Sequence, residues 1–150
     1  MVVKGKRFLI CLAVLLIWIA FIFTRSLQPT DHSNLESQWV LDLLQKFCPF
    51  SLSMYVVRKL AHFIEFAVLG MLAGLLFGGQ CKSLSSGLLL AALTGVIIAL
   101  GDETIQLFVP GRTSRVSDVW LDIAGASAGT ILVLVGKTVI QRRTDDGDKR

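Results

Sequence analysis

Four stretches of this chain are too long and too apolar for the core helices of a small soluble domain. The first covers about residues 7–24. Its apolar run, Phe8 to Thr24, reads FLICLAVLLIWIAFIFT and follows Lys4, Lys6 and Arg7. The second covers about 57–77. It opens with Arg58, Lys59, His62 and Glu65, then turns apolar around Gly70, Gly74 and Gly78. The third covers about 86–108. It carries no charge from Leu88 to Leu100 and ends in GDETIQLF. The fourth covers about 118–140 and holds Asp122 in an otherwise apolar run. A spanning helix takes ~20 mostly apolar residues. The pattern therefore predicts an all-α, polytopic membrane protein with four transmembrane helices, a single membrane unit over residues 1–150.

A basic flank before an apolar run also fits a signal peptide. Here the run is long for one and no small-x-small cleavage site follows it, so an uncleaved helix is expected. About thirty residues separate the first two spans, which is long for a bundle connection. Within them Ser33 and Glu36 have capping-box spacing. Leu35, Trp39, Leu43, Leu44 and Phe47 then share one helical face, with Gln38, Asp42 and Gln45 opposite. This predicts a short amphipathic helix over about 34–47, lying in the membrane interface or packed over the bundle mouth. The mixed-charge tail Gln141–Arg150 is expected to fray.

Composition agrees with the pattern. Hydrophobic residues make up 53% of the chain and charged residues 17%, against ~45–50% and ~25% in soluble domains. Mean hydropathy is +0.67. Such a chain is too apolar to be disordered. The net charge of +4 does not point to nucleic acid. In a membrane protein it reflects Lys and Arg retained on the cytoplasmic side and attraction to anionic lipid. Three scattered cysteines without a CxxC pair indicate neither a disulfide framework nor a thiolate metal site.

Loop charge sets the expected orientation. With the N-terminus inside, nine basic residues lie on the cytoplasmic side and six on the outer side. Both termini are then cytoplasmic, in the plasma membrane. The start of the second span, the end of the third and the start of the fourth share the outer face.

Ionisable residues inside spans are costly and mark functional sites. Here they fall in three stripes. Arg58, His62 and Glu65 lie at i, i+4, i+7 on one helix face. Asp102 or Glu103 with Gln106 forms a second stripe. Asp118, Asp122, Gly125 and Gly129, at i, i+4, i+7, i+11, form a third. The connection Val109–Arg115 joins the second stripe to the third, and Pro110-Gly111 marks a tight turn that holds Arg112 near the carboxylates. These nine charges are four basic (Arg58, Lys59, Arg112, Arg115) and five acidic (Glu65, Asp102, Glu103, Asp118, Asp122), so the site is nearly neutral.

Plain structural readings stand beside the functional ones. Small residues at four-residue spacing let helices approach closely, and this is the reading for Gly125 and Gly129. Asp118 can complement a helix N-terminus. Arg58 and Lys59 can snorkel to the interface. Glu65, Asp102, Glu103 and Asp122 are deep enough to require a partner, a proton or a metal. No HExxH and no GxSxG is present, which excludes the zincin and nucleophile-elbow hydrolases. His62 with several carboxylates does not define a metal geometry. No cofactor is predicted, and a divalent metal stays an open alternative.

Three segments taken together are more specific than any one. Arg58-Lys-Leu-Ala-His-Phe-Ile-Glu65, Asp102-Glu-Thr-Ile-Gln-Leu-Phe-Val-Pro-Gly-Arg112 and Ser117-Asp-Val-Trp-Leu-Asp122 with Gly125 resemble the VanZ-like membrane family, named for a teicoplanin-resistance protein. The resemblance covers about residues 55–135. It implies a small multi-helix membrane domain acting at the cell envelope, and it does not supply an enzyme class.

Three functions are therefore weighed. The first is binding of an amphiphilic, lipoglycopeptide-like ligand at an outward-facing charged site by Arg58, Gln106, Arg112, Asp118 and Asp122, lowering teicoplanin susceptibility. The second is an intramembrane acid–base or metal-assisted enzyme acting on a lipid-linked envelope molecule through His62, Glu65, Asp102 and Glu103. The third is a structural ion-pair network in a membrane scaffold. In all three, Pro110, Gly111, Gly125 and Gly129 are structural and the bilayer is the principal partner. Nothing in the pattern specifies an oligomer.

Overall fold

Each of the four apolar runs forms one helix. The computed structural model describes residues 2–29, 38, 41–42, 53–80, 83–112 and 114–147. Helix α1 is Val2–Ser26, α2 is Met54–Gln80, α3 is Leu84–Gln106 and α4 is Val116–Gly147. All four are long and apolar enough to cross a membrane, over Gly5–Ser26, Met54–Gly78, Ser85–Gln106 and Val116–Val139. Within lipid a helix is the form that satisfies every backbone donor and acceptor inside its own segment. The amphipathic helix expected over 34–47 lies almost wholly outside the described residues.

The helix ends differ from the hydropathy limits for local reasons. α2 starts three residues early because the Ser53 hydroxyl accepts a hydrogen bond from the Val56 amide at 3.4 Å, as an N-cap does. α3 stops two residues early, before Pro110, which disfavours helical geometry at the residue preceding it. Tight turns follow instead, with Phe108 N–H on the Ile105 carbonyl and Val109 N–H on that of Gln106. The tail expected to fray is described as far as Gly147. Residues 141–147 continue α4, since Gln and Arg are good helix formers and no proline interrupts them.

The bundle is organised around the α2–α4 pair. These helices run parallel, as matching contacts between Phe63 and Gly125 and between Ala67 and Gly129 show. They lie backbone to backbone. A methyl group built on Gly129 would come within 1.9 Å of the Ala67 carbonyl oxygen, and one on Gly70 within 1.9 Å of that of Ala126. The Thr130 hydroxyl donates across this contact to the Gly70 carbonyl at 3.0 Å. Lipid offers helices no hydrophobic reason to associate, so close packing of small residues supplies the attraction.

α3 packs antiparallel to α2, and α1 lies against α2 and α3. The core cluster takes Leu15 and Ile22 from α1, Phe66, Leu69 and Leu76 from α2, Ile98 and Ala99 from α3 and Ala126 from α4. The Trp18 indole donates to the Glu65 carbonyl at 3.0 Å and pins α1 to α2. This topology brings the C-terminal ends of α1 and α3 and the N-terminal ends of α2 and α4 to one end of the bundle. Every polar stripe of the sequence lies there.

Candidate functional site

The site is built on three carboxylates buried beneath that end. Asp102, Glu103 and Asp122 are at most 3% exposed, and Gln106 is equally buried. Asp102 on α3 is held firmly. One of its oxygens accepts a hydrogen bond from the Ser26 hydroxyl at the end of α1. The other, Oδ2, accepts from Gln106 Nε2 at 2.8 Å, one helical turn along. Gln106 also reaches the Ser26 hydroxyl at 3.5 Å.

His62 on α2 stands between Asp102 and Asp122. Its Nδ1 is 3.9 Å from Asp102 Oδ2 and 3.8 Å from Asp122 Oδ1. Among the described residues, neither buried Asp122 oxygen has a hydrogen-bond partner. The three side chains offer donor atoms that all lie within 4.8 Å of one another. This grouping joins one residue from each of the three stripes.

Other predicted site residues lie around this centre rather than in it. Glu65 is turned toward α1, where its Oε1 is 2.9 Å from Arg25 Nε. Glu103 Oε2 accepts the Arg115 amide at 2.9 Å and anchors the α3–α4 connection. Its other oxygen is buried without a hydrogen-bond partner among the described residues. Asp118, in the first turn of α4, pairs with Lys59 of α2 and accepts from the Ser117 hydroxyl at 3.0 Å.

Pro110 and Gly111 make the expected turn. Arg112 N–H bonds the Val109 carbonyl at 3.2 Å, and Gly111 has φ 77°. Proline second and a positive-φ glycine third is the type II arrangement. The turn delivers Arg112 to the end of α1. Its Nε donates to the Gln28 carbonyl at 3.1 Å and its Nη2 to the Arg25 carbonyl at 3.0 Å. Helix ends leave carbonyls unpaired, and a guanidinium there satisfies them and suits the negative end of the helix dipole. Burial lowers the Arg112 pKa from its ordinary value, and nearby Arg58 adds to this. A guanidinium stays charged in a protein nonetheless.

Above the buried groups lies a cleft of about 250 Å³, lined chiefly by Arg58, Lys59, His62, Gln106, Arg115 and Asp118. His62 is among the residues that line it. A smaller recess under Arg112 reaches His62 and Asp102 from the α1 side. Among the described residues Arg58 and the Arg115 side chain make no ion pair, whereas Lys59 is engaged by Asp118. Tyr55, which also lines the cleft, is exposed, as are Phe108, Val116 and Trp120 at the same end of the bundle. Such aromatic residues belong at a membrane–water boundary.

Sequence reasoning missed Ser26 and Arg25. They sit just past the apolar run of α1 and read as the start of a loop. The only available signal was a small hydroxyl and a cation at the same membrane level as the motif carboxylates.

No curated protein and no solved structure matches the chain. The VanZ/LLP1 family matches it over residues 10–137. That span runs from α1 into α4 and takes in every group of the site. The polar end of this four-helix membrane bundle is thus the region where the family's three motifs meet, and the chain belongs to the VanZ/LLP1 family.

Proposed function

We propose that this protein acts at the outer face of the plasma membrane, with both termini cytoplasmic, and binds the anionic headgroup of an amphiphilic envelope molecule in the cleft. One observation carries this reading. Arg58 and Arg115 line the cleft without an ion pair among the described residues. Two uncommitted guanidinium groups, at the end of the bundle that also exposes apolar side chains, suit a phosphate or carboxylate whose lipid part remains in the bilayer.

The cleft's size narrows the ligand. About 250 Å³ is below the ~300–1,000 Å³ of pockets that enclose a drug-sized molecule. It holds a headgroup, not a whole lipoglycopeptide. Lowered susceptibility to teicoplanin-type compounds then follows from occupying or masking an envelope lipid rather than from enclosing the antibiotic.

The test has two parts. Purified protein should bind vesicles containing phosphatidylglycerol more tightly than phosphatidylcholine vesicles, and Arg58→Gln with Arg115→Gln should abolish the difference. Overexpression should raise teicoplanin tolerance, and deletion should lower it. Equal binding to both vesicles sinks the headgroup reading, and unchanged tolerance sinks the resistance role.

A second reading is acid–base chemistry on the bound lipid-linked molecule, with His62, Glu65, Asp102 and Glu103 as its groups. It is favoured by the placement of His62 in the cleft lining, between two carboxylates. Under it, lipids co-purifying with Glu103→Gln should contain an uncleaved molecule that the wild type lacks. Identical lipids in both proteins would count against it.

A further inference from the structure

The geometry points to a divalent transition-metal site formed by His62, Asp102 and Asp122. Three features carry it. The donor atoms come from three helices and converge within 4.8 Å. Asp122 is fully buried, and among the described residues neither of its oxygens has a hydrogen-bond partner. Its Oδ1 faces His62 Nδ1 at 3.8 Å, beside Asp102 Oδ2 at 3.9 Å from the same nitrogen.

The spacing fits an ion. Zinc takes nitrogen at ~2.0–2.1 Å and carboxylate oxygen at ~2.0–2.2 Å. A nitrogen and an oxygen on one ion therefore stand no more than ~4.3 Å apart, and both separations from His62 Nδ1 fall inside that limit. The charge also fits, since two carboxylates and a neutral imidazole balance a divalent cation. A buried carboxylate with no donor is costly, and a cation between Asp122 and His62 removes that cost.

The surroundings are those of a supported ligand set. Ser26 and Gln106 hold Asp102 in place, and such outer contacts orient metal ligands. An imidazole nitrogen among the donors favours zinc over magnesium and calcium, which prefer oxygen throughout, and the two carboxylates beside it also suit manganese. Three protein donors leave a position open, as in sites that hold a further ligand. His62, one of the three donors, also lines the cleft. A phosphate oxygen taking the open position would deepen the headgroup reading and rests on that reading, whereas the ion itself does not.

The test uses the full-length protein extracted in mild detergent without chelator. Elemental analysis should find about one zinc or manganese ion per chain. Stripped protein should take up Zn²⁺ or Mn²⁺ and ignore Mg²⁺ at equal concentration. Asp122→Asn and His62→Gln should lose the ion, and Glu103→Gln should keep it. Ser26→Ala should weaken affinity by about tenfold to a hundredfold. Helical content by circular dichroism shows which variants are folded. If a ligand variant does not fold, the wild-type metal content and re-uptake decide the matter alone.

Wild-type protein that neither carries nor takes up Zn²⁺ or Mn²⁺ overturns the proposal. So does a folded Asp122→Asn variant that binds the ion as tightly as wild type. Loss of vesicle preference in the arginine variants with the ion retained separates the two readings.

Discussion

Asp122 Oδ1 lies 3.8 Å from His62 Nδ1, and among the described residues no hydrogen-bond donor reaches either oxygen of the Asp122 carboxylate. The arrangement has a measurable consequence for stability. In metal-free protein the group is a buried polar cost of roughly 1–3 kcal/mol. Asp122→Asn keeps the shape and removes the ionisable group. The chelator-treated variant should unfold at higher temperature than chelator-treated wild type. Added Zn²⁺ should raise the wild type and leave the variant unchanged. Thermal unfolding in detergent, followed by tryptophan fluorescence, reads both effects.

The α2–α4 contact predicts which glycines tolerate a methyl group. At Gly129 and Gly70 a Cβ would meet backbone carbonyl oxygens at 1.9 Å. Backbone cannot give way as a side chain does, so the helices must separate. Gly129→Ala and Gly70→Ala should each cost about 1–3 kcal/mol or more and reduce the protein recovered from membranes. At Gly136 no described residue lies within 4 Å of an added Cβ. Gly136→Ala should be neutral or stabilising by up to about 1 kcal/mol. Equal yields of Gly129→Ala and Gly136→Ala would contradict the close contact.

Much of this architecture was legible in the chain itself, and the reason is the bilayer. A span must be long, apolar and helical, so four apolar runs could hardly form anything but four helices. The stripes were legible for the same cause. Once the segment is helical, Asp102 and Gln106 must share a face, and the structure joins them by a hydrogen bond. The partners across helices were another matter. Glu65 follows His62 closely in sequence yet turns to Arg25, and Asp122 takes the place beside His62. Rotation of one helix against another decides that, and the periodicity within one helix does not contain it. Arg112 shows the same limit. Its turn was readable from Pro110-Gly111, but its partners are carbonyls at the end of α1, and a carbonyl has no residue type to read.

Arg112 therefore ties the α3–α4 turn to α1 through two donors in fixed geometry. Lysine keeps the charge but offers a single ammonium in place of the planar fork. Arg112→Lys should cost about 1.5–3 kcal/mol, the range for hydrogen bonds to charged groups. The loss should be local at first, with faster backbone amide exchange in residues 24–28 and 109–115 than in the middle of α2. Exchange rates unchanged from wild type would show that the two carbonyl contacts contribute nothing to holding α1.

Orientation can be read by labelling, because two loops lie at opposite ends of the bundle. Ser114 is beside the polar site, on the α3–α4 connection, and Ser83 precedes α3 at the other end. In a background with the three native cysteines replaced, Ser114→Cys should react with a membrane-impermeant maleimide on intact cells. Ser83→Cys should react after permeabilisation alone. The charge imbalance behind this expectation is modest. It strengthens once two engaged site cations are set aside, since Arg112 is bonded to carbonyls and Lys59 to Asp118. Loops with free Lys and Arg are those retained inside, and bound ones weigh less. Labelling at Ser83 with Ser114 protected would invert the protein in the membrane and move the cleft to the cytoplasmic leaflet. Anionic lipid would then reach Arg58 and Arg115 from that side, and the envelope-facing role would fall while the headgroup chemistry stood.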